Sequence, residues 1–388
     1  MSVPDDDLVS VERALASHPE FSDATLITLK AVEFYRFALD LLCERSAEVD
    51  RLANGIRDAG GQIPAAVAED PLVRVTLDEA VSRLEQGFVD EAAWSEVTTM
   101  LRLVGDALAA HGPDAAPSGA GLSAGRTVEV APGRAAWLCG TGQDGTDPLA
   151  RTFLNTFERD FLRGVPGDLL HPGPPYAGQL HDGFAALGAL LPELAASVGA
   201  HYVGVGVVDV RTEGETFLAG NVGRIPGVVF FSPNRMSRPW RFAETALHEG
   251  LHLKLFDIQR SASIFTAPER LAEGPKVKVP WLKWSSMVAP NEWALDRALG
   301  AFHVYAHLVP FRQALRTRLT PELLDRFGAP EAEDPPSLYR FGSDRARYLG
   351  EEILSRGGDE LTDFGREFVT WLLETVDRAD QVEGAVRV

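Results

Sequence analysis

The sequence predicts an α+β fold, mainly helical, with a small and partly antiparallel sheet preceding the helix that carries a His-Glu-x-x-His motif. Three observations lead there. Apolar residues recur at helical spacing from about Asp7 to His111, β-branched and aromatic residues concentrate between His201 and Pro233, and helical spacing returns from Arg241. The 388 residues are 45% hydrophobic and 24% charged, which allows a substantial core in one large domain or two smaller ones.

Along the chain, residues 1–112 read as an N-terminal helical region, as in FYRFALDLLCERSAEVDRLANGIRDAG. Residues 113–148, rich in Gly, Pro, Ala and Ser, read as a linker or long loop, because Gly and Pro favour turns over periodic structure. Residues 149–388 form the expected catalytic region. It opens with short helices around Leu149–Leu162, with a face of Phe153, Phe157 and Phe161, and around Gly183–Val198. HYVGVGVVDV, the turn-forming RTEGET and FLAGNVGRIPGVVFFSP then give two or three strands. Later helices are expected at Glu292–Arg318, Asp344–Ser355 and Thr362–Val376.

Charge and composition exclude some classes of function. With 37 Lys and Arg against 56 Asp and Glu, the net charge is −19, so no general basic surface is available for nucleic acid. The start, MSVPDDDLVS, lacks a basic region followed by an apolar core, and no apolar run reaches bilayer-spanning length. A cytoplasmic protein with no membrane partner is the expectation, its oligomeric state open. Cys43 and Cys139 are the only cysteines, too few for a disulfide framework. Any metal must therefore use His and carboxylate.

The chemistry concentrates in ALHEGLHLKLF, Ala246–Phe256. Four residues turn a helix through about 400°, so His248 and His252 share one face and are near enough to share a metal. Glu249 lies about 100° round the axis and serves as a base, an orienting partner or a ligand. Leu247, Leu251 and Leu255 give this amphipathic helix a face for the core. For the third ligand the sequence offers Glu292 and Asp296 in NEWALD, or His303 and His307, again four apart. A third imidazole makes a three-His site and a carboxylate makes the facial triad of non-haem iron oxygenases. For His307 and Glu292 a solvated helix face is the favoured reading.

LHEGLHLKLFD, Val279–Trp281, DRALGAFHVYAHL (Asp296–Leu308) and LTDFGREFV (Leu361–Val369) together resemble the HExxH-type 2-oxoglutarate-dependent peptide β-hydroxylases. Genes for that family often neighbour those of ribosomally made peptide precursors. The resemblance spans roughly Glu244 to Val369, about a third of the chain. It implies iron(II) held by His248, His252 and His303, 2-oxoglutarate received at Arg297, O₂ as co-reactant and a peptide or peptide-like substrate. Three protein ligands would leave three octahedral positions, two for the keto acid and one for O₂. On this reading Glu249 orients a ligand His or bound water. Where the family has Arg-Pro the chain has Arg297-Ala298, and Val304 replaces the Gly after the downstream His.

Two rivals accompany this expectation. In a zinc hydrolase, His248, His252 and Glu292 hold Zn²⁺ and Glu249 is the general base toward a peptide carbonyl. In a catalytically inactive binding protein, the metal helix is only a staple. Lys276, Lys278 and Lys283 form a local basic stretch, Trp281, Trp284 and Trp293 are candidate cleft aromatics, and Arg340, Arg345 and Arg347 are alternative carboxylate clamps.

Overall fold

The computed structural model describes residues 5–87, 91–112, 117–123, 126–140, 147–211, 219–281, 291–330 and 339–386. In chain order its helices are α1 (Asp5–Ser17), α2 (Ala24–Cys43), α3 (Ala47–Ile56), α4 (Ala65–Ala68), α5 (Pro71–Glu85), α6 (Glu91–His111), α7 (Pro117–Ser123), α8 (Pro148–Thr156), α9 (Pro174–Leu190), α10 (Pro192–Gly199), α11 (Pro233–Met236), α12 (Pro239–Ser261), α13 (Leu295–Thr317), α14 (Pro321–Phe327), α15 (Tyr339–Gly357) and α16 (Asp363–Val386). The strands are β1 (Thr127–Ala131), β2 (Arg134–Cys139), β3 (Gly167–Leu170), β4 (Gly204–Val210), β5 (Ala219–Gly220), β6 (Val228–Phe231), β7 (Lys276–Lys278) and β8 (Glu292–Ala294). The fold is a mainly helical α+β arrangement, and the motif helix α12 follows the strands as expected. No helix among the described residues is long and apolar enough to cross a membrane.

The chain divides into two compact units. One comprises Thr25–Ala185 and Gly199–Thr245, and the other Met1–Ala24, Ala186–Val198 and Ala246–Val388. The first unit holds a sheet of order β1-β2-β4-β6-β5, with β3 also paired to β4. It is mixed: β2–β4 and β4–β6 are parallel, whereas β1–β2, β3–β4 and β5–β6 are antiparallel. Val205, Val207 and Val208 of β4 and all of β6 are buried, as befits strands covered on both faces.

Residues 113–148, expected as a linker, instead contribute α7, β1 and β2. Gly and Pro there punctuate short elements rather than abolish them: Gly133, at φ +74°, turns β1 into β2. Asp70 explains part of this order. Its buried carboxylate caps α5, accepting from Leu72 N at 3.0 Å, and also accepts from Ser118 N and Oγ at 2.7 Å, so one side chain ties α7 to α5. Close packing is tightest at Gly183, where a Cβ would lie 1.8 Å from Phe242 Cδ1.

The second unit is assembled from three stretches of chain, and two buried side chains join them. Glu12 on α1 accepts from Glu193 N (2.9 Å) and Leu194 N (3.3 Å), capping α10 from outside, while Arg318 donates to its other oxygen at 3.0 Å. Lys254 on α12 donates to Ser22 O at 2.8 Å and Ser197 Oγ at 2.6 Å. Around them α13 is buried on most sides, including Leu295, Leu299, Phe302 and Phe311. Leu349 and Ile353 of α15, with Phe368 and Leu372 of α16, complete this core.

Candidate metal centre and adjoining cavity

Ala246 onward, α12 belongs to the second unit, and its i, i+4 spacing delivers the geometry that the motif requires. The Nε2 atoms of His248 and His252 lie 3.3 Å apart, with the rings inclined at 69°. Two metal–nitrogen bonds of about 2.0–2.1 Å opened to a tetrahedral angle put their nitrogens about 3.3 Å apart, and a right angle brings them to about 2.9 Å. The pair therefore fits a shared ion. Without one, the same spacing suits a ring-to-ring N–H···N hydrogen bond. Burial lowers the His252 pKa to about 4, so its imidazole is neutral at pH 7 and keeps the lone pair a metal needs. Glu249 is buried beside the pair in sequence.

A cavity of about 550 Å³ opens beside His252 within the second unit. Its polar wall includes Gln259 and Arg260 of α12, Thr266, and Asp296 and Arg297 of α13. Leu255, Phe256, Ile264 and Phe265 make it apolar elsewhere. Helix α13 meets α12 here at Gly300, where a Cβ would make an ordinary contact at 3.8 Å from His252 Cε1. Arg297 is exposed, with its guanidinium carbon 4.8 Å from the Trp293 ring centroid.

The structure thus brings His248 to His252, and His252 and Arg297 to one cavity. It does not unite the expected three-His set. Among the described residues no three His, Cys, Asp or Glu side chains form a metal-holding group. His303 is 1% exposed within the helical core, its ring 4.4 Å from that of His307 and 5.9 Å from Phe368. His307, expected on a solvated face, is fully buried, because α13 is a central rather than a surface helix. Burial and then the charge of Lys254 push its pKa down to about 3. Glu292 is exposed on β8, whereas Asp296 reaches the cavity.

Of the alternative clamps, Arg347 is bound to Asp377 (2.9 Å) and Asp380 (2.5 Å), and Arg345 lies over Trp281 (4.7 Å). The Arg340 side chain, Lys283 and Trp284 lie outside the described residues. Sequence reasoning missed Gln259, Arg260 and Thr266. The first two were within reach: seven and eight residues after His252 they return to its helix face. In comparisons with known proteins, no family model matches the chain and no curated sequence is significantly similar to it.

Proposed function

We propose that the chain is an iron(II)- and 2-oxoglutarate-dependent dioxygenase that hydroxylates an amino-acid β-carbon, with a ribosomally made peptide as substrate. One observation carries this reading: His252, half of a pair spaced for a shared ion, lines the same cavity as the guanidinium-bearing Arg297 and Arg260. In a chain of net charge −19, two such side chains on one cavity wall favour a carboxylate ligand, which a guanidinium fork holds bidentately.

When bound, iron with its keto acid and O₂ supplies the oxidising chemistry. The chain's own residues bind and orient. His248 and His252 are the protein ligands on which the proposal is built. Arg297 receives the keto-acid carboxylate. Glu249, buried next to His248 in sequence, orients a ligand ring. Leu255, Phe256 and Phe265 make the cavity wall beside His252 apolar.

The 3.3 Å separation matches the tetrahedral angle of zinc more closely than the right angle of octahedral iron, which keeps a hydrolase with Glu249 as base as the second reading. The test is anaerobic reconstitution with iron(II), followed by addition of 2-oxoglutarate. A visible charge-transfer band and O₂-dependent formation of succinate support the oxygenase. Tight zinc with O₂-independent peptide cleavage and no such band would replace it by the hydrolase.

A further inference from the structure

We propose that Trp293 is a positioning residue, holding the Arg297 guanidinium in the cavity wall for a carboxylate-bearing ligand; this rests on the keto-acid reading above. Arg297 follows Trp293 by four residues, and its guanidinium carbon stands 4.8 Å from the Trp293 ring centroid. Arg297 is exposed and lines the cavity with His252, whereas Trp293 is only 9% exposed. Stacking of this kind engages the flat face of the guanidinium and leaves its N–H donors, which lie in the plane, directed outward for a carboxylate. It also restrains a side chain that is otherwise rich in rotamers, so less freedom is lost when the ligand binds.

The indole is itself fixed. Its backbone pairs with Val277 across the β7–β8 hairpin, and Trp281 meets it edge-on at 6.2 Å and 82°. Trp281 in turn lies under Arg345 at 4.7 Å, and Arg345 donates to the Tyr305 hydroxyl on α13 at 3.1 Å. Two tryptophans held between two arginines therefore run from the cavity wall back to Tyr305 on α13, and Trp293 cannot turn without disturbing that stack. The Pro280-Trp281 segment then has a structural meaning within the site: it buttresses the ring that carries the arginine.

The experiment uses the full-length chain loaded anaerobically with iron(II), with 2-oxoglutarate and succinate titrated by calorimetry. Trp293→Leu is expected to weaken 2-oxoglutarate binding roughly three- to tenfold, the scale of a lost cation–π contact, with kcat at saturating keto acid unchanged. Trp293→Phe, which keeps a ring, stays within about twofold of wild type. Arg297→Lys keeps the charge without the planar fork and falls with Trp293→Leu, and the double variant shows no further loss. If Trp293→Leu proves unfolded, the Phe and Lys variants decide alone. Trp293→Phe losing as much as Arg297→Lys, or Trp293→Leu binding like wild type, overturns the positioning role. A wild-type chain that binds neither acid removes the keto-acid reading together with this one, a result distinct from binding that ignores Trp293.

Discussion

Replacing Lys254 by methionine isolates the electrostatics that hold the motif helix in place. The Lys254 amine is fully buried and donates to Ser22 O, Ser197 Oγ and, at 3.4 Å, Leu15 O. Burial lowers its pKa from 10.5 to about 7, against the attraction of Asp23. Below pH 7 both folded and unfolded chains carry this proton, and folding bears the whole cost of burying the charge. Between about pH 7 and 10.5 the folded chain has released a proton that the unfolded chain still holds, so stability rises with pH across that window. One proton released on folding is worth about 1.4 kcal/mol for each step of one in pH, so the gain from pH 7 to 9 is about 2 kcal/mol. Methionine abolishes the titration, and leaving Ser22 O and Ser197 Oγ without the amine adds a constant loss of about 1–3 kcal/mol. Urea unfolding of both proteins by circular dichroism at pH 7, 8 and 9 reads the difference. A gap that widens by about 2 kcal/mol is expected; parallel stabilities over that range would refute the assignment of a neutralised, buried Lys254.

Three further outcomes test the site and the core. His252→Ala abolishes stoichiometric iron or zinc binding, measured by equilibrium dialysis, whereas His303→Ala retains it if the ligand set is built on the pair; equal loss in both would restore His303 as a ligand. Glu249→Gln keeps bound metal but slows turnover by about ten- to a hundredfold, the usual cost of losing a partner that orients a ligand, and full retention of rate would remove Glu249 from the site. Gly183→Ala drives a methyl into Phe242 and destabilises the sheet-containing unit by about 1–3 kcal/mol, seen as a lower thermal midpoint; an unchanged midpoint would show that Phe242 can move aside.

The sequence made the helix-bound pair legible because its determinant is local. His248 and His252 are four residues apart in a segment with strong helical periodicity, and no distant contact is needed to stack them. The strands β4 and β6 were equally plain, since strands buried on both faces are written as near-continuous runs such as GVGVV and VVFF. Strands β1 and β2 were missed because their signal sits among glycines and prolines, and because their order depends on a sheet in which β2 lies parallel to β4, a strand more than 60 residues further along the chain.

What the sequence determined alone was the fold class, the helix that bears the His-Glu-x-x-His motif and the closeness of two imidazoles, all consequences of periodicity and short-range geometry. Tertiary structure decided which side chains share the space around them. It put Arg297, Asp296 and Gln259 with His252 in one cavity, and sank His303 and His307 into the core. Those outcomes turn on which faces of α12 and α13 meet, and a helix buried nearly all round offers no periodic clue to its inward side. The three-stretch unit was invisible for the same reason: Glu12 and Lys254 find their partners 181 and 232 residues away, beyond any local pattern.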